Sequence, residues 1–194
     1  MSQNPLGKMV LPPKGYDPGV LFAIQRPAAP CHVYGYERWR CYEFSWLNPR
    51  GLPRVGVLEF ICPVPSLNIV ESKSLKLYLV GIANTRFDSQ SQVKETIRRD
   101  LMDIMRPEWF VLDILCSSDL GVNHAFGQCI DDADIQCPRY TRDPSLLKTQ
   151  LKTHRKETRE ILYSDLLKTL CPITGQPDWA TLVIDYCGEQ IDHD

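Results

Sequence analysis

The stretch RCYEFSWLNPRGLPRVGVLEFIC, residues 40–62, decides the fold. Two apolar, β-rich runs, Arg40 to Leu47 and Arg54 to Cys62, flank Asn48-Pro49-Arg50-Gly51-Leu52-Pro53, whose Asn-Pro pair and glycine mark a turn. The pattern predicts a β-hairpin. Further along the chain, Leu75, Tyr78, Leu79 and Ile82 recur at i, i+3, i+4 and i+7 and predict a helix within Val70 to Asn84, although Leu75, Leu77 and Leu79 also alternate as a strand would. Ser89 followed by Gln92 is a capping-box pattern, and Val93, Ile97, Leu101 and Ile104 form a helical stripe ended by Pro107. Trp109 to Ser117 reads as a strand, and Gly127 to Ile135 as its shorter, partly acidic partner. The resulting order is ββααββ. Ile161, Leu162, Asp165, Leu166, Thr169 and Leu170 then predict a third helix running up to Cys171, followed by a turn and a strand.

The last turn and strand repeat the first hairpin at a distance of 124 positions, so that Pro53 to Phe60 lies over Pro177 to Ile184 and Cys171 over Leu47. The turns Leu47 to Pro53 and Cys171 to Pro177 are equal in length, which suggests an internal duplication whose second copy stops after one or two strands. On the N-terminal side, prolines at 5, 12, 13, 18, 27 and 30 read as an extended arm that needs packing on something else for order. The expected division is an arm over 1–38, a first unit over 39–137, and a linker helix with the start of a second unit over 138–194.

Composition narrows the function. The chain has 194 residues, 43% hydrophobic and 24% charged, which excludes disorder and fibrous repeats as whole-chain descriptions. A formal charge of −2 supplies no global field toward nucleic acid or anionic lipid, and points instead to a small ligand. The longest apolar run, Leu77 to Ala83, is about a third of the roughly 20 residues a membrane span needs. The N-terminus lacks the apolar stretch of a secretory signal, so a cytoplasmic protein with free thiols is expected from its eight cysteines. No C-x-x-C pair is present and no metal site is expected.

Two segments carry candidate chemistry. Cys171-Pro172-Ile173-Thr174-Gly175-Gln176-Pro177-Asp178 places a thiol and a carboxylate on one Pro- and Gly-containing loop. A carboxylate beside a thiol can take its proton and later return it, although a buried free cysteine beside a turn aspartate fits the same spacing. Val70-Glu71-Ser72-Lys73-Ser74-Leu75-Lys76 puts a carboxylate, two hydroxyls and two ammonium groups at a helix start, where the dipole favours an anion such as phosphate. Glu71 suits the amidine-like edge of a guanine-type ring better than an anion; a plain helix cap fits it equally.

Together these segments resemble the bimodular form of 7-cyano-7-deazaguanine reductase, the nitrile reductase of queuosine biosynthesis. The resemblance runs through YEFSWLNPRGLP (42–53), SLNIVESKSLKLYL (66–79), NTRF (84–87), CIDDADI (129–135) and CPITGQPDWATLVIDYCGEQID (171–192). It implies an α+β tunnelling fold, built from ββααββ units of antiparallel sheet with paired helices that assemble into a barrel, here with an incomplete second unit. It implies that Cys171 attacks the nitrile carbon to form a thioimide, that Asp178 handles protons, and that Glu71 holds the deazaguanine edge. It further implies two successive hydride deliveries from NADPH with Ser72, Lys73 and Ser74 near the cofactor, and no metal.

The chain departs from the family in one respect. A Phe-His-Glu segment and an Arg- and Gly-rich segment, placed by the family in its last third, are absent up to Asp194. This suggests C-terminal truncation. An unpaired strand edge after Tyr186 or Cys187 would favour homo-oligomers. The alternative to a reductase is a truncated, non-catalytic deazapurine-binding or assembly module; a weaker one is a metal-dependent purine or pterin enzyme of the same fold. No direct nucleic-acid or membrane partner is expected.

Overall fold

In a computed structural model the protein is described over residues 11–27, 35–64, 66–116, 127–131, 143–149, 158–170 and 177–193. Two units emerge, one of Met1–Pro49 with Pro53–Gly121 and one of Arg50–Leu52 with Val122–Asp194. The first unit runs β1 (Ala23–Gln25), β2 (Tyr36–Leu47), β3 (Pro53–Pro63), β4 (Asn68–Val70), α1 (Ser72–Ala83), α2 (Gln90–Met105) and β5 (Val111–Cys116). β2, β3 and β5 form an antiparallel sheet in that order, and β1 pairs antiparallel with β4.

The hairpin expected from residues 40–62 is present, with Gly51 in its turn at φ 85°, a region open to glycine at little cost. Along β3 the buried side alternates through Gly56, Leu58, Phe60 and Cys62, and this face packs on the two helices. From α1 come Leu75, Tyr78 and Ile82, with Leu79 partly buried beside them, and from α2 Val93, Ile97 and Leu101, as expected from sequence. The last buried position of α2 is Met105, whereas Ile104, expected there, is only partly buried. Burying each such side chain contributes about 1.5–3 kcal/mol. In α2, Ser89 Oγ accepts from the Gln92 N–H at 3.2 Å, while the Gln92 side chain accepts from the Asp88 N–H at 2.7 Å, one residue before the cap. The helix stops at Arg106, which turns left-handed (φ 50°) directly before Pro107. Leu47 is tied to the NTRF segment: its N–H donates to the Thr85 carbonyl at 3.0 Å, and its carbonyl accepts from the Phe87 N–H at 2.9 Å.

The second unit holds β6 (Gln128–Cys129), β7 (Thr158–Leu170) and β8 (Pro177–Gly188) in that sheet order. Two expectations are overturned here. The helix expected at Ile161 to Leu170 is strand β7, paired along its length with β8. Its apolar spacing looked helical because a bulge between Ser164 and Leu167 resets the two-residue alternation. The partner strand expected over Gly127 to Ile135 does not join β5: Gln128 and Cys129 pair in parallel with Leu162 and Tyr163 of β7. Residues 132–135 lie outside the described residues. Within the expected segment Asp131 Oδ1 accepts from Ser164 Oγ at 2.6 Å and its Oδ2 from the Asp165 N–H at 2.9 Å, holding the bulge.

The duplication extends to that bulge. In β2 the register shifts between Cys41 and Phe44 against Leu58 and Gly56; in β7 it shifts between Ser164 and Leu167 against Leu182 and Ala180. Gly56 and Ala180, Leu58 and Leu182 stand 124 positions apart, whereas Cys41 and Ser164, Leu47 and Leu170 stand 123 apart. The second hairpin therefore encloses one more residue than the first. Equal turn lengths are corrected accordingly: Leu170 matches Leu47, and Cys171 matches Asn48 at the start of the loop.

Burial also sets an alkaline limit to stability. The Cys62 thiol is pushed up to about 11 by burial and by the Glu37 carboxylate. The Tyr78 hydroxyl is raised far above its ordinary value by burial and by its hydrogen bond to Asp100. Groups raised in the folded state contribute stability that is whole below the unfolded pKa and is lost above it, where only the unfolded chain sheds its proton. Thermal midpoints are expected to fall from about pH 9 upward, as the unfolded thiol and then the unfolded phenol ionise. A midpoint constant from pH 8 to 11 would contradict this.

Candidate functional site

The N-terminus of α1 assembles most of the residues singled out by sequence. Glu71, in extended conformation (φ −74°, ψ 128°), is the N-cap, and this cap settles the helix over the competing strand reading. Its Oε1 accepts from the Lys73 N–H at 2.9 Å and its Oε2 from the Ser74 N–H at 2.8 Å. The residue is only 3% exposed, so the carboxylate is desolvated and held at the positive end of the helix dipole. Each oxygen spends one of two lone pairs on the backbone, which leaves acceptor capacity for the donor edge of a ring. The cap role and the ring-holding role are thus compatible in one side chain.

Ser72 is exposed, Lys73 half-buried and Lys76 exposed. An ammonium group and a hydroxyl at a helix N-terminus suit the phosphates of a dinucleotide, so Ser72 and Lys73 fit the cofactor. Ser74 differs. It is wholly buried, its Oγ donating to the Glu71 carbonyl at 2.7 Å and accepting from the Phe22 N–H at 3.0 Å.

In the second unit, Asp178 is exposed, one residue into β8 and opposite Thr169. Cys171 lies outside the described residues. Beside Asp178, the Lys168 ammonium sits 5.4 Å from the centroid of the Trp179 ring, and burial lowers the Lys168 pKa. Among the described residues, Cys41, Cys62, Cys116, Cys129 and Cys187 are free thiols. No described helix is long and apolar enough to cross a membrane.

Sequence reasoning missed Asp100. This carboxylate, 6% exposed, accepts through Oδ2 from the hydroxyls of Tyr16 and Tyr78 at 2.7 Å each, and through Oδ1 from Arg99 at 3.0 Å. The available signal was an acidic residue inside the apolar stripe Val93, Ile97, Leu101 of α2.

Residues 13–111 match the family described as nitrile reductase, 7-cyano-7-deazaguanine-reductase N-term. The chain is 40% identical over 202 aligned positions to an NADPH-dependent 7-cyano-7-deazaguanine reductase of Coxiella burnetii (strain CbuK_Q154), covering 98% of this chain and 71% of that protein. It is 39% identical to proteins of the same description from Paraburkholderia xenovorans (strain LB400) and Burkholderia multivorans (strain ATCC 17616 / 249), covering 98% of this chain and 73% and 72% of theirs. With that likeness along nearly its whole length, and with the cap residues Glu71 to Ser74 inside the matched region, the chain belongs to the 7-cyano-7-deazaguanine reductase family.

Proposed function

We propose that this protein catalyses the NADPH-dependent reduction of the nitrile of 7-cyano-7-deazaguanine to the aminomethyl group, a step of queuosine biosynthesis. The observation that carries this reading is the 40% identity to reductases of that description across 98% of the chain. The substrate is a small 7-deazapurine, and no nucleic acid or membrane takes part directly.

The residues divide the work as follows. Glu71, buried and anchored on two amides, accepts hydrogen bonds from the N–H edge of the ring and orients it. Cys171 supplies the thiolate that adds to the nitrile carbon; the new C–S bond replaces one C–N π bond, the nitrogen gains a proton, and a thioimide results. Asp178, open to solvent at the head of β8, accepts the thiol proton and returns one to the nitrogen. NADPH supplies hydride, and four electrons from two cofactor molecules, with protons from solvent, take the thioimide to the amine and release the thiol. Ser72 and Lys73 hold the cofactor phosphates at the α1 N-terminus.

This reading includes the tunnelling fold. Supporting it are the three-stranded antiparallel sheet covered by two helices and the bulged hairpin that recurs at β7 and β8. What supports a homo-oligomer is that, among the described residues, β8 is the outer strand of its sheet, with Leu182 and Val183 41% and 59% exposed. The free thiols fit a reducing compartment, the cytoplasm.

The test is loss of NADPH absorbance on adding 7-cyano-7-deazaguanine to the purified protein. Nitrile-dependent oxidation is expected. Ring binding without oxidation would overturn the reductase reading in favour of a binding module.

A further inference from the structure

The segment before β1 grips the cap of α1. Phe22 bonds it twice: its carbonyl accepts from the Glu71 N–H at 2.8 Å, and its N–H donates to Ser74 Oγ at 3.0 Å. Ser74 closes the loop, donating through Oγ to the Glu71 carbonyl and through its amide to Glu71 Oε2. The segment is itself fastened further back. The Tyr16 N–H donates to Thr85 Oγ1 at 2.7 Å, and the Tyr16 hydroxyl joins Asp100 and, at 2.9 Å, Arg99. The Gly15 carbonyl lies so close to α1 that a Cβ on Gly81 would stand 2.6 Å from it, so glycine is needed there. Leu21 is buried in the core, and β1 pairs with β4 immediately before Glu71.

From this geometry we infer that Ser74 is a positioning residue for Glu71 rather than a cofactor contact, and that the Tyr16–Asp100 anchor serves the same end through Phe22. Every polar group of Ser74 that faces the cap is committed inside the protein, and none of its surface is open to a ligand. Its hydroxyl fixes the main chain of Glu71 from one side while Phe22 fixes it from the other. The carboxylate thereby meets an incoming ring without first being ordered, which is where preorganisation saves free energy. The inference rests on the reading of Glu71 as the ring-holding carboxylate.

Steady-state kinetics of Ser74→Ala and Tyr16→Phe, with amide hydrogen exchange on the same proteins, test it. Ser74→Ala is expected to raise KM for 7-cyano-7-deazaguanine about fivefold, the value of one hydrogen bond, and to leave KM for NADPH within about twofold. Exchange at the amides of Lys73 and residue 74 should quicken by a similar factor. Tyr16→Phe keeps the ring against Tyr78 and removes one hydroxyl, so it should fold and shift the same two readouts in the same direction, by about twofold. A raised KM for NADPH with that for the nitrile unchanged would overturn the inference and return Ser74 to the cofactor. Absence of turnover in the unmodified protein would count against the reductase reading alone. The exchange data still judge the tether in that case, and unchanged protection at Lys73 and residue 74 in both variants would overturn it.

Discussion

Replacing Cys171 with alanine is expected to lower nitrile-dependent NADPH oxidation by about 10³-fold or more, while the deazaguanine ring still binds. The size follows from the chemistry. A nitrile is a poor hydride acceptor, and sulfur addition converts it into an electrophilic C=N bond; without the thiolate no such acceptor forms. On the proposed reading ring recognition falls to Glu71, on another part of the chain, so Kd should change little. Intact-mass spectrometry after incubation with 7-cyano-7-deazaguanine, in the absence of NADPH, separates the covalent step from reduction. A stoichiometric adduct on the unmodified protein, absent from Cys171→Ala, is the expected pair of results. Retained turnover in the variant would show that reduction does not pass through this sulfur.

The second large effect is expected at Glu71, where two substitutions separate cap from recognition. In Glu71→Gln the side-chain amide has one carbonyl oxygen for two backbone N–H groups, those of Lys73 and Ser74, so its NH₂ must face a donor. Helix stability should fall by about 1–2 kcal/mol, and KM for the nitrile should rise about 100-fold as a charged acceptor is lost. Glu71→Asp acts differently. Aspartate is among the best N-cap residues, so α1 should hold to within about 0.5 kcal/mol, yet the carboxylate is drawn back by one methylene from the ring. A KM raised about tenfold with a nearly unchanged thermal midpoint is therefore expected for Glu71→Asp. If Glu71→Asp binds substrate as tightly as the unmodified protein, Glu71 is a cap and nothing more.

Much of the architecture was legible because it is local. The turn Asn48 to Pro53 and the runs beside it specify the first hairpin, since turn residues and side-chain alternation act over a few positions. Both helices were readable from apolar spacing, and α2 from its Ser89 cap and from Pro107 as well. Glu71 stood out as a carboxylate at a helix start, and its chemistry allowed both a cap and a ring contact.

Other features depended on residues far apart in sequence. The 158–170 segment has the spacing of a helix, but pairing with β8 and a bulge braced by Asp131 make it a strand; long-range pairing overrides local periodicity. The one-residue difference between the two hairpins, which moves Cys171 from the place of Leu47 to that of Asn48, is a matter of register and shows only when partners are known. Asp100 reads as an ordinary helix residue, and Ser74 as a residue near the cofactor, until Tyr16 and Phe22, 84 and 52 positions away, are brought against them. Sequence by itself determined the local elements and the residue types able to do the chemistry. Tertiary structure decided which polar groups are buried and where their bonds go, because a buried donor or acceptor must find a partner wherever the folded chain supplies one.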